Sequence, residues 1–83
     1  MGKPLGFEVR AVGVEPGGHR IYHAAEWDDA LVVVTCGEVE LECLSGTRVR
    51  FGRGDLLWLT GLPLRALHNR GRVPALLLAV SRR

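Results

Sequence analysis

No run in this chain approaches the ~18 apolar residues that a helical membrane span requires. The first residues do not place a basic segment before an apolar one, so a cytoplasmic protein with no membrane partner is the expectation. Charge of one sign is also scarce: eleven Lys and Arg against nine Asp and Glu leave a formal net charge of +2. A nucleic-acid binder would carry a denser basic stripe with interleaved aromatics, so nucleic acid is not the expected partner. Cysteine is limited to Cys36 and Cys43, without zinc-finger spacing. Placed along one extended segment, the two lie beyond the Cα limit of about 7 Å for a disulfide, and two buried, reduced thiols are expected. No segment sustains a 3.6-residue period between helix caps, which removes the helical fold classes.

What remains is a β pattern in a chain of 83 residues, read as a single domain over 1–83. Leu5 to Val14 alternates, with Phe7, Val9 and Ala11 on one side and Glu8, Arg10 and Val12 on the other, until Glu15-Pro-Gly-Gly18 ends it. His19 to His23 suits a short strand carrying Ile21 inward, and Ala24 to Asp29 a polar bend around Trp27. Ala30 to Val34 is wholly apolar, as is the run inside the last strand, Val73 to Val80. Between them Glu38–Cys43 and Thr47–Phe51 alternate strictly across Ser45-Gly46. A hairpin with both apolar sets inward puts Leu41 opposite Val49 and Val39 opposite Phe51, and outside it sets Glu42 against Arg48 and Glu40 against Arg50. About eight short strands make an all-β sandwich or barrel. Its two continuous apolar runs need cover on their second face, which a homodimer supplies.

The stretch Gly52–Asn69 organises the rest. A Gly-Asp turn leads into the apolar strand Leu56–Leu59, a Gly61-Leu-Pro63 corner, and a second strand Leu64–His68. Gly61 can take φ > 0, and Pro63 removes a ladder donor. This order resembles the second motif of the cupin family, with Gly54-Asp55 opening it, Thr60–Pro63 at the corner and Asn69 closing it. Gly37 suits the last glycine of the first motif. The resemblance implies a small double-stranded β-helix, the cupin-type jelly-roll barrel.

It also implies where a metal would sit in an intact cupin. The motif's glutamate falls on Ala30, its two upstream histidines on Ala24 and Glu26 (or on His23 and Ala25 with a longer gap), and the second motif's histidine on Arg65. A permanent guanidinium charge there repels a divalent cation, so no metal cofactor is expected; a transition-metal site using His19 or His23 with Glu26 or Asp28 through a bend is the alternative. Strand parity turns Arg65, Leu67 and Asn69 inward and His68 outward, so that Glu26 and Arg65 pair in the barrel mouth. Trp27, beside Glu26, is the candidate to stack on a ligand, whereas Trp58 suits the core or a dimer contact.

The ligand-binding candidates are therefore Glu26, Trp27, Arg65, Asn69 and His23, and the leading expectation is a metal-free barrel that binds a small anionic or aromatic molecule. One alternative is a cupin enzyme, either a metal oxygenase or isomerase or a metal-free epimerase in which Glu26 or His23 acts as acid or base. Another is a dimeric structural or regulatory module.

Overall fold

The computed structural model describes residues 6–82. Among them the chain forms β1 (Phe7–Val14), β2 (His19–Ile21), the single turn α1 (Ala24–Trp27), β3 (Ala30–Cys36), β4 (Glu38–Cys43), β5 (Arg48–Gly52), β6 (Leu56–Trp58), β7 (Leu64–His68) and β8 (Ala75–Arg82). Two four-stranded sheets, ordered β1-β8-β3-β6 and β2-β7-β4-β5, are antiparallel throughout. This is the eight-strand all-β barrel expected. Leu5, placed above at the start of the first strand, and Arg83 lie outside the described residues. No helix among the described residues is long and apolar enough to cross a membrane.

The core follows from alternation. Val12 and Val14 on β1, Val32 and Val34 on β3, Val39 and Leu41 on β4, and Leu77 and Ala79 on β8 all turn inward and are buried. Trp27, fully buried, closes one end of this core. The hairpin forms in the anticipated register, with Val39 opposite Phe51, Glu40 opposite Arg50, Leu41 opposite Val49 and Glu42 opposite Arg48. Its ion pairs run differently: Glu40 takes Arg48 at 2.9 Å and Arg70 at 2.7 Å, not the directly opposed Arg50. A long side chain reaches its diagonal neighbour as readily as its opposite one.

Four orientations depart from the sequence pattern. On β1 it is the Val12 face, with Arg10, that turns inward, while Phe7 and Val9 are each 59% exposed. On β2, Arg20 pairs with the inward-facing Leu67, so Ile21 turns out and is 51% exposed. On β7 the ladder to β4 skips Arg65: Leu64 opposes Cys43 and Ala66 opposes Glu42. The extra residue is a β-bulge, which breaks the alternation and sends Arg65 outward although Leu67 and Asn69 stay inside. Finally, both cysteines are free thiols, but Cys36 is exposed and Cys43 half-buried.

The turns on either side of β6 behave as their residues require. Gly61 has φ 77° and Gly54 φ 90°. The Gly54-Asp55 turn is tied down twice, by the Asp55 carboxylate accepting from Gly52 N at 2.8 Å and by backbone bonds to Val34. Gly37, with φ 69°, passes so close to Pro74 that a Cβ there would lie 2.6 Å from the Pro74 carbonyl oxygen.

Candidate functional site

The end of the barrel closed by α1 gathers the charged side chains that face inward. Arg10 comes from β1, Arg20 from β2, and Glu26 and Trp27 from α1. Arg20 Nη2 donates to Glu26 Oε2 at 2.6 Å. Arg10 donates through Nη2 to the backbone carbonyl of Glu26, and its guanidinium lies 5.7 Å from the centroid of the Trp27 ring, a cation–π contact. Tyr22, just after β2, packs against the core and donates its hydroxyl to Leu59 O at 3.0 Å. The C-terminal side of α1 is pinned to the corner, since Asp29 N donates to Thr60 Oγ1 at 3.0 Å and that hydroxyl donates to Trp27 O at 3.4 Å. Asp29 has φ 54°, a left-handed conformation that aspartate tolerates better than most residues.

Three polar atoms of this cluster are buried without a partner: Arg20 Nε, Glu26 Oε1 and Trp27 Nε1. Two are donors and one is an acceptor. Each such group costs about 1–3 kcal/mol when left unpaired. Two guanidinium groups, Arg20 on the Glu26 carboxylate and Arg10 on the Glu26 backbone carbonyl, stand against one carboxylate and leave the cluster net positive.

Of the side chains expected to form the site, Glu26 and Asn69 face inward as the pattern put them; Glu26 is half-buried and ion-paired, and its partner is Arg20, not Arg65. Arg65 lies on the outer surface, 3.6 Å from Glu42 and bonded to Leu44 O, because of the bulge. Trp27 does not line an open mouth: it is fully buried, part of the core on one side with Arg10 over its ring, and it presents no face to a ligand. Asn69 is buried but already satisfied, its Nδ2 donating to Val14 O at 2.9 Å and Val73 O at 2.8 Å and its Oδ1 accepting from Gly71 N at 2.9 Å. It holds the loop before β8 against the end of β1. His23 is exposed ahead of α1 and its side chain makes no capping bond.

Arg10 and Arg20 were missed by the sequence reading. Their signal was parity alone: Arg10 shares a face with Val12 and Val14, which becomes informative only once those valines are known to be the buried set.

The positions that hold a metal in an intact cupin do not fit one here. Ala24 is exposed and Ala30 is a buried methyl, neither with a donor atom, while Arg65 points away and Glu26 is engaged by Arg20. Among the described residues no three His, Cys, Asp or Glu side chains cluster closely enough to share an ion.

A second charged constellation covers the outside of the β2-β7-β4-β5 sheet. Glu42 accepts from His68 Nε2 at 2.8 Å and lies near Arg48 and Arg65, while His19 and His68 stand 5.8 Å apart across the β2–β7 pair. Hydrogen bonds from Arg48 and Arg70 hold the Glu40 carboxyl below its ordinary pKa, and the His68 bond, helped by the Arg48 and Arg65 charges, does the same for Glu42.

No protein-family model and no curated protein sequence matches the chain. Solved structures do. A Cupin 2 conserved barrel domain protein from Salinispora arenicola superposes with a TM-score of 0.71 at 24% identity, over 89% of this chain and 60% of the other. A sugar phosphate isomerase from a cupin superfamily, from Silicibacter pomeroyi, gives 0.67 at 33% identity, over 93% of this chain and 50% of that one. The Cupin_2 domain of an XRE family transcriptional regulator from Enterobacter cloacae gives 0.62 at 19% identity, over 89% and 78%. The chain thus spans only 60% and 50% of the lengths of the first two.

Proposed function

This chain is a cupin by its fold, and from that premise we propose that it is a metal-free binding protein for a small hydroxylated anion, held beneath α1 by Arg10 and Arg20. The observation that carries the reading is the trio of buried, unpartnered atoms in a net-positive cluster. An oxyanion such as a carboxylate or phosphate accepts from Arg20 Nε and Trp27 Nε1, and a ligand hydroxyl donates to Glu26 Oε1. A sugar phosphate or hydroxy acid combines both groups, and the name of the Silicibacter pomeroyi neighbour is consistent with that class. Entry requires α1 to lift. The element is one turn long, exposes Ala24 and Ala25, and has no side-chain cap at His23, so little holds its N-terminal side. An aromatic ligand is not part of this reading, because Trp27 has no free face. A cytoplasmic setting suits the exposed free thiol of Cys36.

A second reading, an interaction or regulatory module, is favoured by the filled interior, where Trp27, Leu59, Leu67 and Leu77 are all buried to within 2%. Titration of the protein with phosphate, a hexose phosphate and a hydroxy acid, followed by tryptophan fluorescence and calorimetry, separates the two. Saturable binding lost in Arg20→Ala supports the first reading. No binding at millimolar concentration leaves the second.

A further inference from the structure

The outer face of the β2-β7-β4-β5 sheet carries two imidazoles side by side. His19 and His68 are direct cross-strand partners in the antiparallel β2–β7 pair, and because the next pair along, Arg20 and Leu67, turns inward, both histidines turn out. Their ring centroids stand 5.8 Å apart. Two imidazoles that share an ion, each with a nitrogen about 2.0–2.1 Å from the metal, stand roughly 5–6 Å apart at their ring centres. β2 is an edge strand and His19 is exposed, so water reaches the pair.

His68 is also held through one of its two nitrogens. Its Nε2 lies 2.8 Å from Glu42 Oε1. An ionised carboxylate can only accept, so Nε2 donates in that bond and Nδ1 of the neutral ring keeps the lone pair. A carboxylate placed behind a metal-ligating histidine in this way fixes its tautomer and raises its basicity.

We propose that His19 and His68 form a two-imidazole site for a transition-metal ion of the Zn²⁺, Ni²⁺ or Cu²⁺ kind, with Glu42 behind His68 and water completing the coordination shell. Only two side chains bind the ion directly, in keeping with the lack of any three-donor cluster among the described residues. The site lies on the opposite face of β2 from Arg20 and is independent of the cluster beneath α1. The ions it takes follow from its surroundings. Glu40, the partner of His68 on β4, is engaged by Arg48 and Arg70, and Glu42 by His68 and Arg65. No carboxylate oxygen is left to join, so Mg²⁺ and Ca²⁺, which need oxygen ligands, are not held, whereas imidazole nitrogen suits Zn²⁺, Ni²⁺ and Cu²⁺. An ion across the pair ties the three-residue edge strand β2 to β7.

Calorimetric titration of the full chain with Zn²⁺, and separately with Mg²⁺, near neutral pH tests this. It is run in a Cys36→Ser background, because the exposed Cys36 thiol competes for the ion. The expected result is one Zn²⁺ bound per chain, a thermal unfolding midpoint that rises with Zn²⁺, and no response to Mg²⁺. With Cu²⁺, electron paramagnetic resonance should show two nitrogen donors. His19→Gln and His68→Gln each weaken Zn²⁺ binding by more than about tenfold, and Glu42→Gln by about tenfold, with unchanged circular dichroism. His23→Gln leaves it unaltered. Should His68→Gln disturb the sheet, His19→Gln, at an exposed position, reads out the same contact. Absence of Zn²⁺ binding at about 100 µM, Mg²⁺ binding as tight as Zn²⁺, or Zn²⁺ binding that survives His19→Gln or is lost in His23→Gln overturns the proposal.

Discussion

Arg20 Nη2 lies 2.6 Å from Glu26 Oε2 across the end of the barrel, and both side chains keep some contact with water, at 39% and 26% exposure. That exposure sets the magnitude of the pair. A fully buried pair would lose several kcal/mol on removal of one partner, but a pair this wet is worth about 1 kcal/mol. Arg20→Ala is therefore expected to lower the unfolding free energy by about that much in urea titration, while abolishing anion binding. A large stability loss with binding intact would reverse the assignment of Arg20.

Gly37 and Gly61 both have positive φ, 69° and 77°, but their surroundings differ. A Cβ at Gly61 meets nothing within 4 Å, whereas at Gly37 it meets the Pro74 carbonyl oxygen at 2.6 Å. Gly61→Ala should cost only the conformational term, about 1 kcal/mol, and Gly37→Ala about 3 kcal/mol or more, since backbone must move. Chemical denaturation of the two variants side by side checks the ranking.

Asn69→Ala strands the Val14 and Val73 carbonyls and the Gly71 amide in one substitution. With about 1–3 kcal/mol for each unsatisfied buried group, a total near 3 kcal/mol is expected after water reaches the more open partners. Hydrogen exchange should show the faster opening first in residues 70–74 and at the end of β1.

Glu40 and Glu42 bind protons less readily in the folded chain than in the unfolded one, where the reference value is 4.5. Their ion pairs therefore contribute stability above that value, and the contribution fades as pH falls through the lowered folded values. The urea midpoint should drop below pH 4.5, and the double variant Glu40→Gln, Glu42→Gln should show a flatter acid limb.

The parts of the fold legible in the sequence are those where alternation runs unbroken. The β4–β5 hairpin is read to the residue because Glu38–Cys43 and Thr47–Phe51 keep a strict period of two on either side of a short turn. The site was less legible because it is built from exceptions. β2 has three residues, too few for a pattern to show its parity, and so Arg20 and Ile21 were exchanged. Arg65 was misplaced by a single bulge residue, to which residue counting is blind. Trp27 follows three polar or small residues in a bend, and nothing local says that a tertiary core lies beneath it.

The bulge on β7 also governs how this chain can change in length. Leu64 and Ala66 already oppose neighbouring residues of β4, so losing Arg65 would make the ladder regular with every remaining side chain on its present face. Outside the strand ladders, the backbone bond forfeited is that from Tyr22 N to Arg65 O. A deletion at Leu67 would instead turn the strand inside out on one side of the gap. Position 65 is thus a point where relatives of different length can share one barrel, and sequences aligned through it by counting alone will exchange an interior residue for a surface one.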